Sequence, residues 1–360
     1  MASPAAPRQL VAAPELRWIA VWSRAVVVPA GRRALASWIG CAIVSAVIFG
    51  PTAMHPSDLT AMARQSPAIG AVLGGTWLLI FLPSARLIVR PSAAYLATLP
   101  HAPIQRWAVA IAALIGLQLP WLVLWVMGEG AAGLAAVALT TVAAAALGRI
   151  PPASASARPP AWRTPLAGLI SLHRRALRRR AGDALLRGAG LAILCGLATG
   201  FPVRNNDLTG EPAAVLAASI LAVVLIPAQL GPALVTFDAH RASAWLAQSL
   251  GISRATRIAG LVAAIAAVHL AAAVLAALAS CAIAGPNPWL VIVVPVALGT
   301  ALAEARALLA HEASPTVASR VVVAAVVAAS LAIVCLAVLG AAGALAIVAL
   351  GAAALGMVKP

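Results

Sequence analysis

The chain alternates long apolar runs with short polar, Gly- or Pro-containing connections along most of its 360 residues. The runs show no apolar/polar alternation of period two, so each stretch of about twenty residues predicts a membrane-spanning α-helix and not a barrel strand. Ten spans are expected, at 34–52, 68–89, 107–128, 130–149, 184–202, 212–236, 258–283, 287–309, 317–339 and 341–357. The fourth and tenth each follow a neighbour after only a short Gly-containing turn. The expected fold is therefore all-α, a polytopic integral membrane helical bundle.

Composition narrows this further. Hydrophobic residues make up 63% of the chain, charged residues 9%, and the mean hydropathy is +1.00. A soluble domain carries nearer a quarter charged residues, because its surface must face water. The net charge of +16 comes from 24 Arg and one Lys, Lys359, against nine acids. Those arginines sit between the apolar runs, where they set topology and meet anionic headgroups; no basic stripe is interleaved with stacking aromatics, so nucleic acid is not an expected partner. They gather before residue 34 and at 85–106, 149–183, 238–257 and 304–320, while the alternate connections hold only Arg64 and Arg204. That alternation predicts an even number of spans with both termini cytoplasmic. The Arg-for-Lys bias with abundant Ala and Pro points to a GC-rich bacterial genome, hence a bacterial inner membrane. Basic residues recur through the first stretch without an apolar core and a small-residue cleavage site, so no cleavable signal peptide is expected.

The middle of the chain reads as a boundary. Residues 150–165 are rich in Pro, Ala and Ser and predict a cytoplasmic linker. Arginines at 174, 175, 178, 179 and 180 follow, with Leu172, Leu177 and Leu185, and suit a short interfacial helix. Across this boundary a faint repeat of about 150 residues relates SAAYLATL at 92–99 to ASAWLAQS at 242–249, so that Tyr95 falls on Trp245. Asp58-Leu59-Thr60 likewise falls on Asp207-Leu208-Thr209, and Arg24, Ala34 and Leu35 fall on Arg174, Ala184 and Leu185. The expected layout is two tandem four-helix units, 1–149 and 166–309, followed by a C-terminal hairpin in 310–360. An even number of spans per unit makes the repeat parallel.

The repeated segment carries a family resemblance. RPSAAYLATLPHAPIQRWAVAIAAL at 90–114 resembles the cytoplasmic segment of ABC-2-type exporter permeases, in which a Tyr-Leu-x-x-Leu-Pro-like stretch and a basic residue precede a long apolar helix. Tyr95, Leu96, Leu99 and Pro100 match the first part, and Arg106 stands before the span. AHRASAWLAQSLGISRATRIAGLVAA at 239–264 looks like a second copy, with Trp245, Leu250, Arg254 and Arg257 at corresponding places. The resemblance implies a permease subunit driven by a separate ABC ATPase that docks on 91–106 and 241–257. Tyr95 or Trp245 would insert into a groove, and Arg106, Arg254 or Arg257 would pair with acids at its rim. ATP would then be bound by the partner and no cofactor by this chain. One chain could offer two docking segments, or a homodimer could form.

Other candidate chemistry is sparse. No G-x-x-x-x-G-K-[ST] phosphate loop, HExxH motif or nucleophile–base arrangement occurs, so no catalytic, cofactor-binding or metal-ligating residue is assigned and the chain is not expected to be an enzyme. Cys41, Cys195, Cys281 and Cys335 are widely spaced within apolar runs and read as small hydrophobes. Gln118, Gln229 and His269 lie within spans and are candidate polar residues of a translocation pathway. Prolines at 83, 120, 227, 232 and 295 are expected to kink their helices. Glu304 and Arg306 fall near the inner end of the eighth span, where both are expected to reach the interface. The alternative to an exporter subunit is a non-transporting scaffold whose basic loops hold a cytoplasmic partner.

Overall fold

The computed structural model describes residues 14–50, 54–91, 96, 103–150, 164–312 and 317–357, and among them every regular element is helical. Helix α1 (Pro14–Trp22) passes through a π-helical turn at Ser23–Val27 into α2 (Val28–Ile48). Short α3 (Pro56–Gln65) leads into α4 (Pro67–Val89), followed by α5 (Pro103–Leu117), α6 (Leu119–Glu129) and α7 (Leu134–Gly148). The second half holds α8 (Pro165–Arg180), α9 (Gly182–Asn205), α10 (Gly210–Ala242), α11 (Ala244–Ser249) and α12 (Arg254–Ala284). Helices α13 (Val293–Ala310), α14 (Val317–Leu339) and α15 (Ala342–Gly356) complete it. The linker expected at 150–165 lies almost entirely outside the described residues.

By length and composition, seven helical stretches among the described residues could cross a membrane: Trp18–Ile48, Pro67–Val89, Leu119–Gly148, Gly182–Asn205, Arg254–Ala284, Pro288–Ala310 and Val317–Leu339. An eighth, α10, is bent by 51° between Leu225 and Ala228. Helix α15 and the segment Gln105–Leu117 are apolar but shorter. The stretch Leu119–Gly148 is not one rod. Gly130 takes φ 61°, and Gly133 comes so close to the Trp125 carbonyl that a Cβ would overlap it, so α7 folds back along α6. The same device turns α14 into α15: Gly340 has φ 57°, and Gly343 abuts the Cys335 carbonyl.

The surface is apolar where a soluble protein would be polar. Leu139, Val142, Val323, Val334, Val338 and Leu345 are all more than half exposed. An apolar exterior around an equally apolar interior is what lipid, used as solvent, permits. The bundle therefore gains little from the hydrophobic effect between helices and depends on close packing of small residues. Helix α9 is the axis of that packing and lies against α2, α4, α10 and α12. Its Gly196-Leu197-Ala198-Thr199-Gly200 forms a G-x-x-x-G stripe. Gly196 meets the Ala276 carbonyl and the Ala279 side chain, while Gly200 meets Ile283 and Ser280. On its other faces Gly190 packs on Ile80 of α4 and Gly188 on the Ala228 carbonyl of α10.

Polar contacts tie the helix ends together on two faces. On one, Arg64 pairs with Glu129 at 3.0 Å, the Asn287 amide donates to the Gly210 carbonyl, and Glu211 accepts from the Ala341 N–H. On the opposite, arginine-rich face, Arg149 lies over the Trp107 ring at 4.8 Å and Arg306 donates to the Ala354 carbonyl at the end of α15.

In its helix boundaries and connections the structure departs from the sequence expectations in three places. The first apolar helix begins well before residue 34, because Trp18, Trp22, Val26, Ala30 and Ala34 form a buried stripe spaced by four. The polar segment 56–65, expected as a plain connection, is a helix with Pro56 in its first turn and a capping box between His55 and Asp58. Its alignment partner differs: Asp207 is a turn residue with φ 50°, so the two Asp-Leu-Thr triplets do not share a local conformation.

Candidate functional site

The second copy of the repeated segment forms an elbow on the arginine-rich face. Helix α10 stops where Ser243 turns its hydroxyl back onto the Ala239 and His240 carbonyls. After α11, Gly251 adopts φ 67° and a Schellman closure forms: the Ile252 N–H donates to the Ala247 carbonyl and the Gly251 N–H to the Gln248 carbonyl. The Ser253 hydroxyl then accepts from the Thr256 N–H and starts α12. A helix end, a glycine turn and a helix cap follow one another within this short segment, which fixes the direction of α11 relative to α12.

That rigid elbow presents apolar side chains outward. Trp245 is 69% exposed and Leu250 66%, with Leu246 beside them, while Ala247 faces inward and holds α11 down. Arg241 precedes the patch in the chain, with its guanidinium over the Phe237 ring, and Arg254 and Arg257 follow it in the first turn of α12. Of the first copy, Tyr95, Leu99 and Pro100 lie outside the described residues. Arg106 is exposed at the mouth of a cavity of about 360 Å³ bounded by Trp22, Ile88, Trp107 and Arg149.

The three intramembrane polar candidates sit in different surroundings and do not converge. Gln118 occupies the break between α5 and α6, and its side chain is fully buried. Its Oε1 accepts from Trp77 Nε1 at 3.0 Å and from the Thr140 hydroxyl at 2.8 Å, and its Nε2 donates to the Thr141 hydroxyl at 2.8 Å. Trp77 stacks in turn on Trp121, with ring centroids 5.4 Å apart. The neighbouring void is only about 60 Å³. This is a closed polar lock among α4, α5–α6 and α7.

Gln229 lies just past the bend of α10 and borders a cavity of about 380 Å³ between α8, α9, α10 and α12. Ala263, Ala267, Val268 and Leu275 form much of its wall, and Arg174 stands at one edge. The Gln229 Oε1 is buried with no hydrogen-bond partner among the described residues.

His269 is held from both sides. Its Nδ1 lies 3.0 Å from the Ile265 carbonyl, and its Nε2 lies 3.1 Å from Glu304 Oε2, with both side chains less than a tenth exposed. A carbonyl can only accept, so Nδ1 carries a hydrogen. The Nε2–Oε2 contact then needs one more proton between its two atoms. Either an imidazolium faces a carboxylate, or a carboxylic acid donates to a neutral ring. Both states have zero net charge and one shared proton, which makes the pair tolerable inside the bundle.

This corrects the expectation that Glu304 reaches the interface. Helix α13 continues about 9 Å beyond it to Ala310, and the antiparallel packing of α12 on α13 sets Glu304 opposite His269. Glu304 is absent from the pathway residues expected from the sequence, although an isolated carboxylate in an apolar run is the signal that could have found it. Arg306, two residues on, does leave for the helix end, where it donates to Ala354.

Helix α8 lies along the same arginine-rich face. The Thr164 hydroxyl caps its start, and Leu169, His173 and Leu177 form its buried stripe. Leu169 packs on Gly260, and the His173 ring stacks near His240 at 6.1 Å. Burial pushes the His173 imidazole below its ordinary value, so it stays neutral at pH 7 and protonation in mild acid opposes the docking of α8.

No family model, no curated protein and no solved structure matches this chain. The chain is an all-helical protein with the apolar helices of an integral membrane protein.

Proposed function

We propose that the protein is the membrane-spanning permease subunit of an ATP-binding-cassette exporter, driven by a separate ATPase that docks on its cytoplasmic face. The observation that carries this reading is the elbow at 243–253. An exposed aromatic–aliphatic knob, rimmed by arginines and fixed by a glycine closure and a helix cap, is suited to enter a groove on a partner and to pass force into α12. The arginine-rich face is the cytoplasmic one in this reading.

The proposal includes ten crossings, with α1–α2, α4, α5–α6, α7, α9, α10, α12, α13, α14 and α15 each crossing once. The fold-back at Gly130–Gly133 and the grouping of helix ends on two faces support that count. The division into units 1–149 and 166–309 with a hairpin in 310–360 belongs to the same reading. Cysteine accessibility checks the topology. Ala131→Cys is expected to react with a membrane-impermeant maleimide on intact cells, and Ser249→Cys only after the membrane is opened. Labelling of both from one side would overturn the ten-crossing arrangement.

The docking reading is tested by affinity capture of the tagged protein from its native membrane in mild detergent. An ABC ATPase is expected to accompany it. Trp245→Ala truncates an anchor of about 2 kcal/mol or more, which corresponds to roughly thirtyfold weaker association, and combination with Tyr95→Ala is expected to abolish recovery while insertion persists. Membranes that contain candidate ATPases but yield none in the capture would leave the scaffold reading instead.

A further inference from the structure

We infer that the arginine-rich face contains a built anion site, a vestibule of about 530 Å³ that takes a phosphate-bearing group. Arg33 of α2, Arg86 of α4, Arg178, Arg179 and Arg180 at the end of α8, and Arg187 of α9 line this one cavity. Asp183 is the single acid among its lining residues, which leaves a formal net charge of +5. These side chains come from sequence positions up to 154 residues apart, so their convergence is a property of the fold and not of one basic loop.

The internal pairing leaves the cluster incomplete. Asp183 accepts from Arg86 at 2.7 Å and lies 3.5 Å from Arg33, while Arg187 donates through Nη1 to the Arg33 carbonyl. The Nε–H groups of Arg86 and Arg187 are nonetheless buried with no acceptor among the described residues. A buried donor without a partner is costly, and both of these belong to arginines that line this one cavity. Gly182, Asp183 and Ala184 of the first turn of α9 border the same space.

Arginine stays charged at any working pH and presents a planar fork that fits phosphate oxygens two at a time. Pro83, Leu186, Gly231 and Val235 give the vestibule an apolar floor on the membrane side. A phosphate group with its oxygens toward the arginines therefore fits whether it arrives as a soluble anion or as the headgroup of an anionic lipid. Once bound, it would bridge α2 and α4 to the α8–α9 junction and stiffen the contact between the two halves. The inference stands apart from the ATPase reading, because it requires no partner protein.

The test is thermal unfolding of the purified full-length protein. One arm uses detergent with added pyrophosphate against sodium chloride at equal ionic strength. The other uses phosphatidylcholine vesicles with and without phosphatidylglycerol. The comparison variant is Arg179→Gln/Arg180→Gln/Arg187→Gln, which spares the Arg86–Asp183 pair, and its folding is checked by gel filtration. A rise in midpoint for the wild type in either arm is expected, with affinity about tenfold weaker or more in the variant. A response to pyrophosphate alone identifies a soluble phosphate, and a response to phosphatidylglycerol alone identifies a headgroup. No rise beyond the chloride and phosphatidylcholine controls, or an equal rise in the variant, overturns the inference and leaves the arginines as a topology signal.

Discussion

Glu304→Ala, made with His269 retained, is expected to destabilise the protein by about 3 kcal/mol or more. The size follows from what is left behind. Without the carboxyl, the His269 Nε2 faces no partner and the ring can no longer share its proton, in a position less than a tenth exposed. Removing both partners costs less: His269→Leu with Glu304→Met replaces the pair by apolar groups of similar volume and is expected to recover most of the loss. Glu304→Gln is expected to be milder than Glu304→Ala, because the amide N–H can donate to the Nε2 of a neutral ring whichever state the wild-type pair holds. The measurement is a double-mutant cycle of unfolding midpoints in detergent, with the infrared carboxylic-acid band of Glu304 as an independent readout. Losses of His269→Leu alone and Glu304→Met alone that sum to the loss of the double variant would mean that the pair contributes no coupling.

Gly196→Leu is expected to disrupt the bundle most of all single changes on α9. Overpacking a tight core costs about 1–3 kcal/mol when side chains can yield, but here the obstacle is the Ala276 backbone carbonyl, which is fixed within α12. The effect is therefore expected above that range, seen as loss of the monodisperse gel-filtration peak. Gly74→Leu is the control, since nothing lies within 4 Å of a Cβ there and the variant should purify normally. A Gly196→Leu protein as stable as the wild type would mean that α9 and α12 do not rely on this approach.

The two variants probe features of very different visibility in the sequence. The helical class and most span positions are legible there, because twenty apolar residues without alternation have few other uses. The long α2 is hidden by Arg24, Arg32 and Arg33, which suggest a solvated approach to the membrane, although Trp18, Trp22, Val26 and Ala30 keep helical spacing into it. Helix α3 escapes notice because its ten residues lack an apolar run; Pro56 with Asp58 two positions later is the signal it does carry. The elbow is visible as a motif, and its glycine closure gives that motif a shape.

Contacts between distant helices are the illegible part. His269 and Glu304 are separated by 35 positions and each looks isolated in its own run, since one-dimensional periodicity does not say which helix faces which. The same holds for Arg33 and Arg187, and for Gln118, whose bonds to Trp77, Thr140 and Thr141 turn a candidate pathway residue into a closed polar contact. Charge ordering along the chain locates the arginine-rich face but not the cavity within it.

The close approach of Gly196 to Ala276 has a mechanical side. Helix α12 runs unbroken from the elbow at its near end to Ala284 at its far end. Its tightest hold on α9 is off-centre, about 33 Å from Arg254 and about 12 Å from Ala284. Beyond that point Gly200 also holds Ser280 and Ile283, so the helix is gripped over its last third like a beam built in at one end. A push at the elbow would then bend the long arm on the arginine-rich side and leave the far end in place.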